Sequence, residues 1–148
     1  MRSSPSSPTG ARTRSRTPAP SSRTCWHGRT SRPARPALAA VLADGTLIGS
    51  VAVWVDSAAH RRGEFGYVFH PRHWGRGYAT EAAEMLLDIG FRTLGLHRVT
   101  ATCHPDNVGS WRVLEKAGMT REARMRDHKL ARGTWRDSLL YSAIDPTA

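Results

Sequence analysis

One stretch constrains the fold more than any other: Arg72-His73-Trp74-Gly75-Arg76-Gly77-Tyr78-Ala79-Thr80-Glu81-Ala82. An alternating segment, Gly63 to Phe69, leads into it, and a helical pattern from about Ala79 to Leu94 leads out. A strand, a glycine turn and a helix together build a site for phosphate. Gly75 and Gly77 allow positive φ and close backbone approach. The first turn of the following helix adds unbonded N–H groups and the positive end of the helix dipole. The combination attracts a pyrophosphate. A plain tight turn shares the Gly-x-Gly pattern, so the neighbours must decide. A dinucleotide fingerprint needs a third glycine near Ala79 or Thr80 and an acid at the end of the next strand. A Walker loop needs Gly-Lys-Ser/Thr, which is absent. The spacing that stands is Arg72-x-x-Gly75-x-Gly77.

Length allows one domain with a single core at 148 residues. The net charge of +10 suggests nucleic acid, but its distribution argues against that partner. Residues 1–36 contain eight arginines and no acid; the remainder has 14 Lys/Arg against 12 Asp/Glu. Basicity therefore belongs to the N-terminal stretch, which is rich in Ser, Pro, Arg and Thr and poor in aliphatic residues. Such a composition cannot offset chain entropy by burial, and a disordered basic tail is expected. Cys25 and Cys103 are too few and too isolated for a disulfide framework or a zinc site. No metal is expected, and a reducing compartment, the cytoplasm, is the default. No apolar run approaches membrane-spanning length.

Along the chain, Pro36 to Ala43 reads as a short strand, and Asp44-Gly45 as a two-residue hairpin turn. Leu47 to Val55 reads as a buried strand with Gly49 as a local irregularity. His60-Arg61-Arg62 reads as a loop. In the next strand Glu64, Gly66 and Val68 share one face; Phe65, Tyr67 and Phe69 share the other, and Pro71 ends it. The following helix has an apolar stripe of Ala79, Ala82, Ala83, Leu86, Ile89, Gly90 and Phe91, and Gly95 closes it. Arg98 to Cys103 is a β-rich run that should lie parallel to the strand before the glycine turn. Asn107 caps a short helix, Val108 to Ala117, stopped by Gly118. Met119 to about His128 and Thr134 to Ile144 form a closing strand pair joined through Ala131-Arg132-Gly133.

Asn107-Val108-Gly109-Ser110-Trp111-Arg112-Val113-Leu114-Glu115-Lys116-Ala117-Gly118-Met119 forms a second block. With the glycine turn, Gly95-Leu96-His97-Arg98-Val99 and Gly133-x-Trp135-x-Asp137, it resembles the GNAT acetyltransferase superfamily, in its RimJ/RimL branch of ribosomal-protein N-terminal acetyltransferases. The resemblance covers about residues 37–145. It implies an α/β (α+β) fold: a mixed, mostly antiparallel sheet with a central splayed parallel strand pair flanked by helices. Members normally carry a strand and one or two helices ahead of the stretch starting near Ala37. The domain is thus expected to be N-terminally truncated, with residues 1–36 a tail or a non-native start.

The resemblance also implies acetyl-CoA as co-substrate and a primary amine as acceptor, a protein N-terminus or a small amine. Tyr67, Val68 and Phe69 would meet the pantetheine through their backbones. The N–H groups of His73, Trp74, Gly75, Arg76, Gly77, Tyr78 and Ala79 would surround the pyrophosphate. Arg72 and Arg76 would add charge there or serve only as solvated loop residues. Ser110 stands at the thiol side, as a hydrogen-bond donor to the sulfur or as a serine bonding its own backbone. Asn107 would cap its helix and reach the pantetheine, or cap only. Glu64 is the expected base, with His128 and solvent as alternatives. A homodimer is allowed. A CoA-binding fragment without turnover, or a basic-tailed nucleic-acid binder, are the alternatives.

Overall fold

The computed structural model describes residues 37–148. The tail expected at residues 1–36, Cys25 included, lies outside the described residues. Six strands form one sheet: β1 (Leu38–Val41), β2 (Leu47–Ser57), β3 (Arg62–Phe69), β4 (Arg98–Cys103), β5 (Thr120–Ala131) and β6 (Thr134–Ile144). Their order is β1-β2-β3-β4-β6-β5. Every neighbouring pair is antiparallel except β3 and β4. Helix α1 (Tyr78–Asp88) connects that parallel pair, and α2 (Val108–Lys116) leads from β4 to β5.

Alternation in the strands gives the sheet two unlike faces. Val51, Phe65, Phe69, Val99, Ala101, Cys103, Leu139 and Tyr141 point to one face and are buried with Ala82, Ala83 and Leu86 of α1 and Leu114 of α2. The alternate positions, Glu64 and Val68 on β3 and Thr100 and Thr102 on β4, occupy the other face. The expected division of the β3 side chains is therefore observed.

The expected helix does not run evenly to Leu94. Its α-helical part ends at Asp88 and continues as a wider π-helical turn, Ile89–Thr93, with Leu94 N–H donating to Ile89 O at 2.9 Å. Gly90 sits in this turn against β4, where a Cβ would lie 3.0 Å from Val99 Cγ2. Asp44-Gly45 does mark a hairpin, but the loop is one residue longer than expected. Gly45 N–H donates to Leu42 O and Leu42 N–H to Thr46 O, each at 2.9 Å, which encloses Ala43, Asp44 and Gly45. The irregularity expected at Gly49 is present: the β1 register shifts between Ala40, opposite Gly49, and Val41, opposite Leu47. The closing hairpin is longer than expected, because β5 continues to Ala131 and turns through Arg132-Gly133 alone. A bulge at Asp127 (φ 48°) accommodates the extra length, and its N–H donates to Asp137 Oδ1 at 3.1 Å.

Glu122 ties three strands together. Its carboxylate accepts from both terminal nitrogens of Arg98 and from Ser142 Oγ at 2.6 Å, linking β5 to β4 and β6. These bonds, Arg98 first, hold the Glu122 carboxyl down at about 2 against an ordinary 4.5. Because the folded state binds this proton more weakly than the unfolded chain, the stabilisation is complete above pH 4.5 and is lost as pH falls towards 2. Glu122→Gln is expected to lower Tm at pH 7 and to flatten its decline between pH 4.5 and 2. Thermal melts of both proteins across that range check this, and parallel curves would contradict it.

Candidate functional site

The parallel pair is short. β3 and β4 stay in register only at Arg62–Arg98, Gly63–Val99 and Glu64–Thr100. Beyond them β3 continues to Phe69 and β4 to Cys103 with no further pairing between the two. The closed end of this gap is tightly made. His97 and Arg98 N–H both donate to Arg61 O, at 2.6 and 3.2 Å, and Thr100 Oγ1 donates to Gly63 O at 3.2 Å. At Gly63 a Cβ would come within 2.5 Å of Leu96 Cδ1 and 2.6 Å of Trp54 O, so only glycine fits.

Hydrogen-bond parity shows which main-chain groups face the gap. His70 N–H donates to Ile48 O at 2.8 Å, and Val68 is registered with Ser50. In an antiparallel ladder this directs the N–H and C=O of Val68 to β2, and those of Phe65, Tyr67 and Phe69 away from it. Val68 was expected to offer its backbone to a bound pantetheine; its polar groups are engaged in the β2–β3 ladder instead, and its side chain lies on the outer face, 47% exposed. Asp145 N–H donates to His97 O at 2.9 Å, which by the same parity turns the main-chain groups of Thr100 and Thr102 towards the gap.

The open end meets the glycine turn. Trp74 folds back so that its indole N–H donates to Phe69 O at 2.8 Å, while most of the residue remains exposed. Pro71–His73 makes one 3-10 turn, capped by His70 Nδ1, which accepts from Arg72 N–H at 3.2 Å; the N–H groups of His73 and Trp74, expected at the pyrophosphate, donate instead to His70 O and Pro71 O at 2.9 and 3.2 Å and close the turn. Gly75 and Gly77 have φ of 72° and 83°, and among the described residues nothing lies within 4 Å of where a Cβ would stand on either. The glycines are required by conformation, and no other described residue crowds them. Gly77 is the N-cap of α1 and accepts from Glu81 N–H at 3.0 Å; no side chain caps this helix end. The N–H groups of Tyr78, Ala79 and Thr80 thus have no intrahelical acceptor and point out of the turn. An open, uncapped, positively polarised cradle of this kind fits a diphosphate. Arg72 and Arg76 are exposed beside it. His73 packs its ring near those of His70 and Tyr78. Among the described residues no group of three His, Cys, Asp or Glu could hold a metal.

On the helix-covered side of the gap stands α2. Asn107 Oδ1 accepts from Ser110 N–H at 3.0 Å and so caps this helix. The Ser110 hydroxyl lies 3.2 Å from Tyr67 Oη, and the Tyr67 hydroxyl also donates to Ser110 O at 3.3 Å. Burial pushes the Tyr67 phenol up from its ordinary value and does the same to the neighbouring Cys103 thiol. Glu64, in the last registered pair before the gap, projects from the face of β3 opposite to Tyr67 and its Ser110 contact. His128 is on the β5 bulge; its Nδ1 is 3.0 Å from Ser138 Oγ, and burial followed by the Lys129 charge lowers its pKa. Lys129 Nζ donates to Thr102 Oγ1 at 2.9 Å, which draws this part of β5 over the end of β4. The Tyr67 side chain was missed by sequence reasoning, which used only its backbone. A signal existed: a tyrosine among phenylalanines on a buried strand face needs a polar partner for its hydroxyl.

Residues 3–120 match the model of the acetyltransferase (GNAT) domain. The chain belongs to the GNAT acetyltransferase family. It is 37% identical over 99 residues to an uncharacterised N-acetyltransferase of Bacillus subtilis, YnaD, covering 67% of this chain and 58% of that protein. It is 28% identical over 96 residues to spermidine N(1)-acetyltransferase of Escherichia coli K12, covering 65% of this chain and 52% of the enzyme. The crystal structure of a GNAT-family acetyltransferase from Bacillus anthracis superposes with a TM-score of 0.68 at 35% identity, over 73% of this chain and 65% of that one. The chain spans a little over half the length of these curated relatives. The expected fold, a mixed and mostly antiparallel GNAT sheet with one parallel pair, is the one observed.

Because no described residue lies within 4 Å of a Cβ at Gly77, substitutions there meet a backbone cost first. Gly77→Val is expected to lose about 1–2 kcal/mol of stability and Gly77→Asn less, since Asn visits the left-handed region more readily. Chemical denaturation of the three proteins checks the order; equal stabilities would contradict it.

Proposed function

We propose that this GNAT chain is an acetyl-CoA-dependent N-acetyltransferase whose acceptor is a primary amine. One observation carries the reading: the parallel pair opens after three registered residue pairs directly onto an uncapped helix N-terminus at Gly77. Acetyl-CoA, when bound, supplies an acyl group activated as a thioester. The N–H groups of Gly75, Arg76, Gly77, Tyr78, Ala79 and Thr80 hold its diphosphate, with Arg72 and Arg76 adding charge from the rim, whereas those of His73 and Trp74 are already bonded to His70 O and Pro71 O. Tyr67 and Phe69 bond the pantetheine amides through their gap-facing main chain, in the manner of an added strand. A backbone N–H on β3 polarises the acetyl carbonyl.

Glu64 takes the proton from the attacking amine, directly or through a water, from the outer face of β3. Ser110, on the opposite face, donates a hydrogen bond to the departing sulfur. Asn107 fixes the first turn of α2 and thereby the Ser110 position. Direct attack in a ternary complex is consistent with these groups standing on opposite faces of β3. The RimJ/RimL-like motifs favour a protein N-terminus beginning with Ala or Ser, while the spermidine enzyme among the relatives favours a polyamine. A protein N-terminus is the reading adopted, in the cytoplasm.

Calorimetry with acetyl-CoA and a thiol-release assay test this together. Micromolar to millimolar binding is expected, with turnover of an Ala- or Ser-initiated peptide exceeding that of spermidine. The reverse order would reassign the acceptor to a polyamine, and binding without turnover of either would reduce the chain to a CoA-binding domain. Glu64→Gln should retain acetyl-CoA affinity and lower kcat by roughly 10²–10⁴-fold. Unchanged turnover would discard Glu64 as the base.

A further inference from the structure

Tyr67 is the residue that joins the two sides of the gap on its buried face. It leaves β3 and reaches Ser110 at the start of α2, 43 residues away in sequence, with contacts of 3.2 Å to the hydroxyl and 3.3 Å to the carbonyl. The phenol has one proton to donate. When that proton goes to Ser110 O, the phenol oxygen is open to the Ser110 hydroxyl proton, and a serine that donates there has none left for a ligand. When it goes to Ser110 Oγ, the serine proton is turned away from Tyr67 and outward. The two arrangements differ by a rotation of two hydroxyls, with no movement of heavy atoms.

Other features of the site favour use of the second arrangement once negative charge arrives. Asn107 Oδ1 has already fixed the Ser110 backbone, so only the hydroxyl rotor is free to respond. Cys103 ends β4 in a buried setting that pushes its thiol up from the ordinary value, which disfavours a competing anion there. The Tyr67 ring stands between those of Phe65 and Phe69, at centroid distances of 6.2 and 6.1 Å. A rigid donor, a fixed backbone and a rotatable hydroxyl between them make a relay whose polarity follows the charge at its open end.

We propose that Tyr67 is a positioning residue for the departing sulfur: its hydroxyl donates to Ser110 Oγ and thereby directs the Ser110 proton to the coenzyme A thiolate. No proton is transferred along the relay. The carbon–sulfur bond breaks with its electron pair on sulfur, and the anion is held by a hydrogen bond from a serine that is itself hydrogen-bonded. This rests on the reading of the gap as the acetyl-CoA site, and the test separates the two.

The experiment measures the ionisation of the coenzyme A thiol bound to the protein, from its ultraviolet thiolate absorbance across pH, as a difference against the same variant without coenzyme A; it needs no acceptor. A relay that stabilises the anion lowers the bound thiol pKa below its ordinary ~8.5. Tyr67→Phe, which keeps the ring, should raise it by about one unit, a tenfold change in ionisation. Ser110→Ala should raise it at least as far, and the double variant no further than Ser110→Ala alone. Coenzyme A affinity below the thiol pKa should change little in all three. Equal pKa values for wild type and Tyr67→Phe, or additive effects in the double variant, overturn the inference while leaving the binding site intact. Absence of coenzyme A binding to the wild-type protein overturns both the inference and the functional reading beneath it.

Discussion

The structure depends on a pairing that stops. β3 and β4 are parallel neighbours for three residue pairs and then separate, although both strands continue. Main-chain N–H and C=O groups inside a sheet are costly to leave without partners. A sheet therefore opens in its centre only where something else meets those groups. Here the closed end is clamped by Arg61 O and by a glycine that no other residue could replace, so the separation begins at a defined point. The edges of the opening are held by independent contacts: β2 on one side of β3, and β6 on the far side of β4.

The helices make that opening usable. α1 buries Ala82, Ala83 and Leu86 against the sheet, which fixes where its N-terminus stands relative to the end of β3. The same packing delivers Gly77 and the three N–H groups after it to the mouth of the gap. α2 is placed by Leu114 and by Tyr141, whose buried hydroxyl donates to Glu115 Oε1 at 3.0 Å and is pushed up to about 12, chiefly by burial. That anchor holds the Asn107–Ser110 turn beside Tyr67. Core packing and site geometry are thus the same set of contacts seen from two ends.

Much of this was legible in the chain. The two-residue period of Glu64 to Phe69 gave the faces of β3, because burial on one side imposes it. The glycine spacing and the helical stripe after it gave the βαβ unit, because crossover handedness leaves one arrangement. Local conformational signals were less complete. Asp44-Gly45 marks a turn but does not count its residues, and the Asp127 bulge depends on a side chain ten positions away. In the π-helical turn at Ile89–Thr93, Gly90 is seated against Val99, a contact that helical periodicity does not contain. Val68 and Tyr67 show the same limit from another side. Sequence alternation places their side chains, but only the register with β2 shows which backbone faces the gap. The Tyr67–Ser110 bridge spans two motifs that sequence reading treats separately.

The most direct test is residue-resolved amide hydrogen exchange with and without acetyl-CoA. If the gap and the glycine turn form one site, slowing is expected at Tyr67 and Phe69, at Thr100 or Thr102, and from Gly75 to Thr80, while Val68, already bonded to β2, stays unchanged. Slowing confined to other elements, or none at these amides under saturating ligand, would contradict the assignment of the opened parallel pair as the acetyl-CoA site.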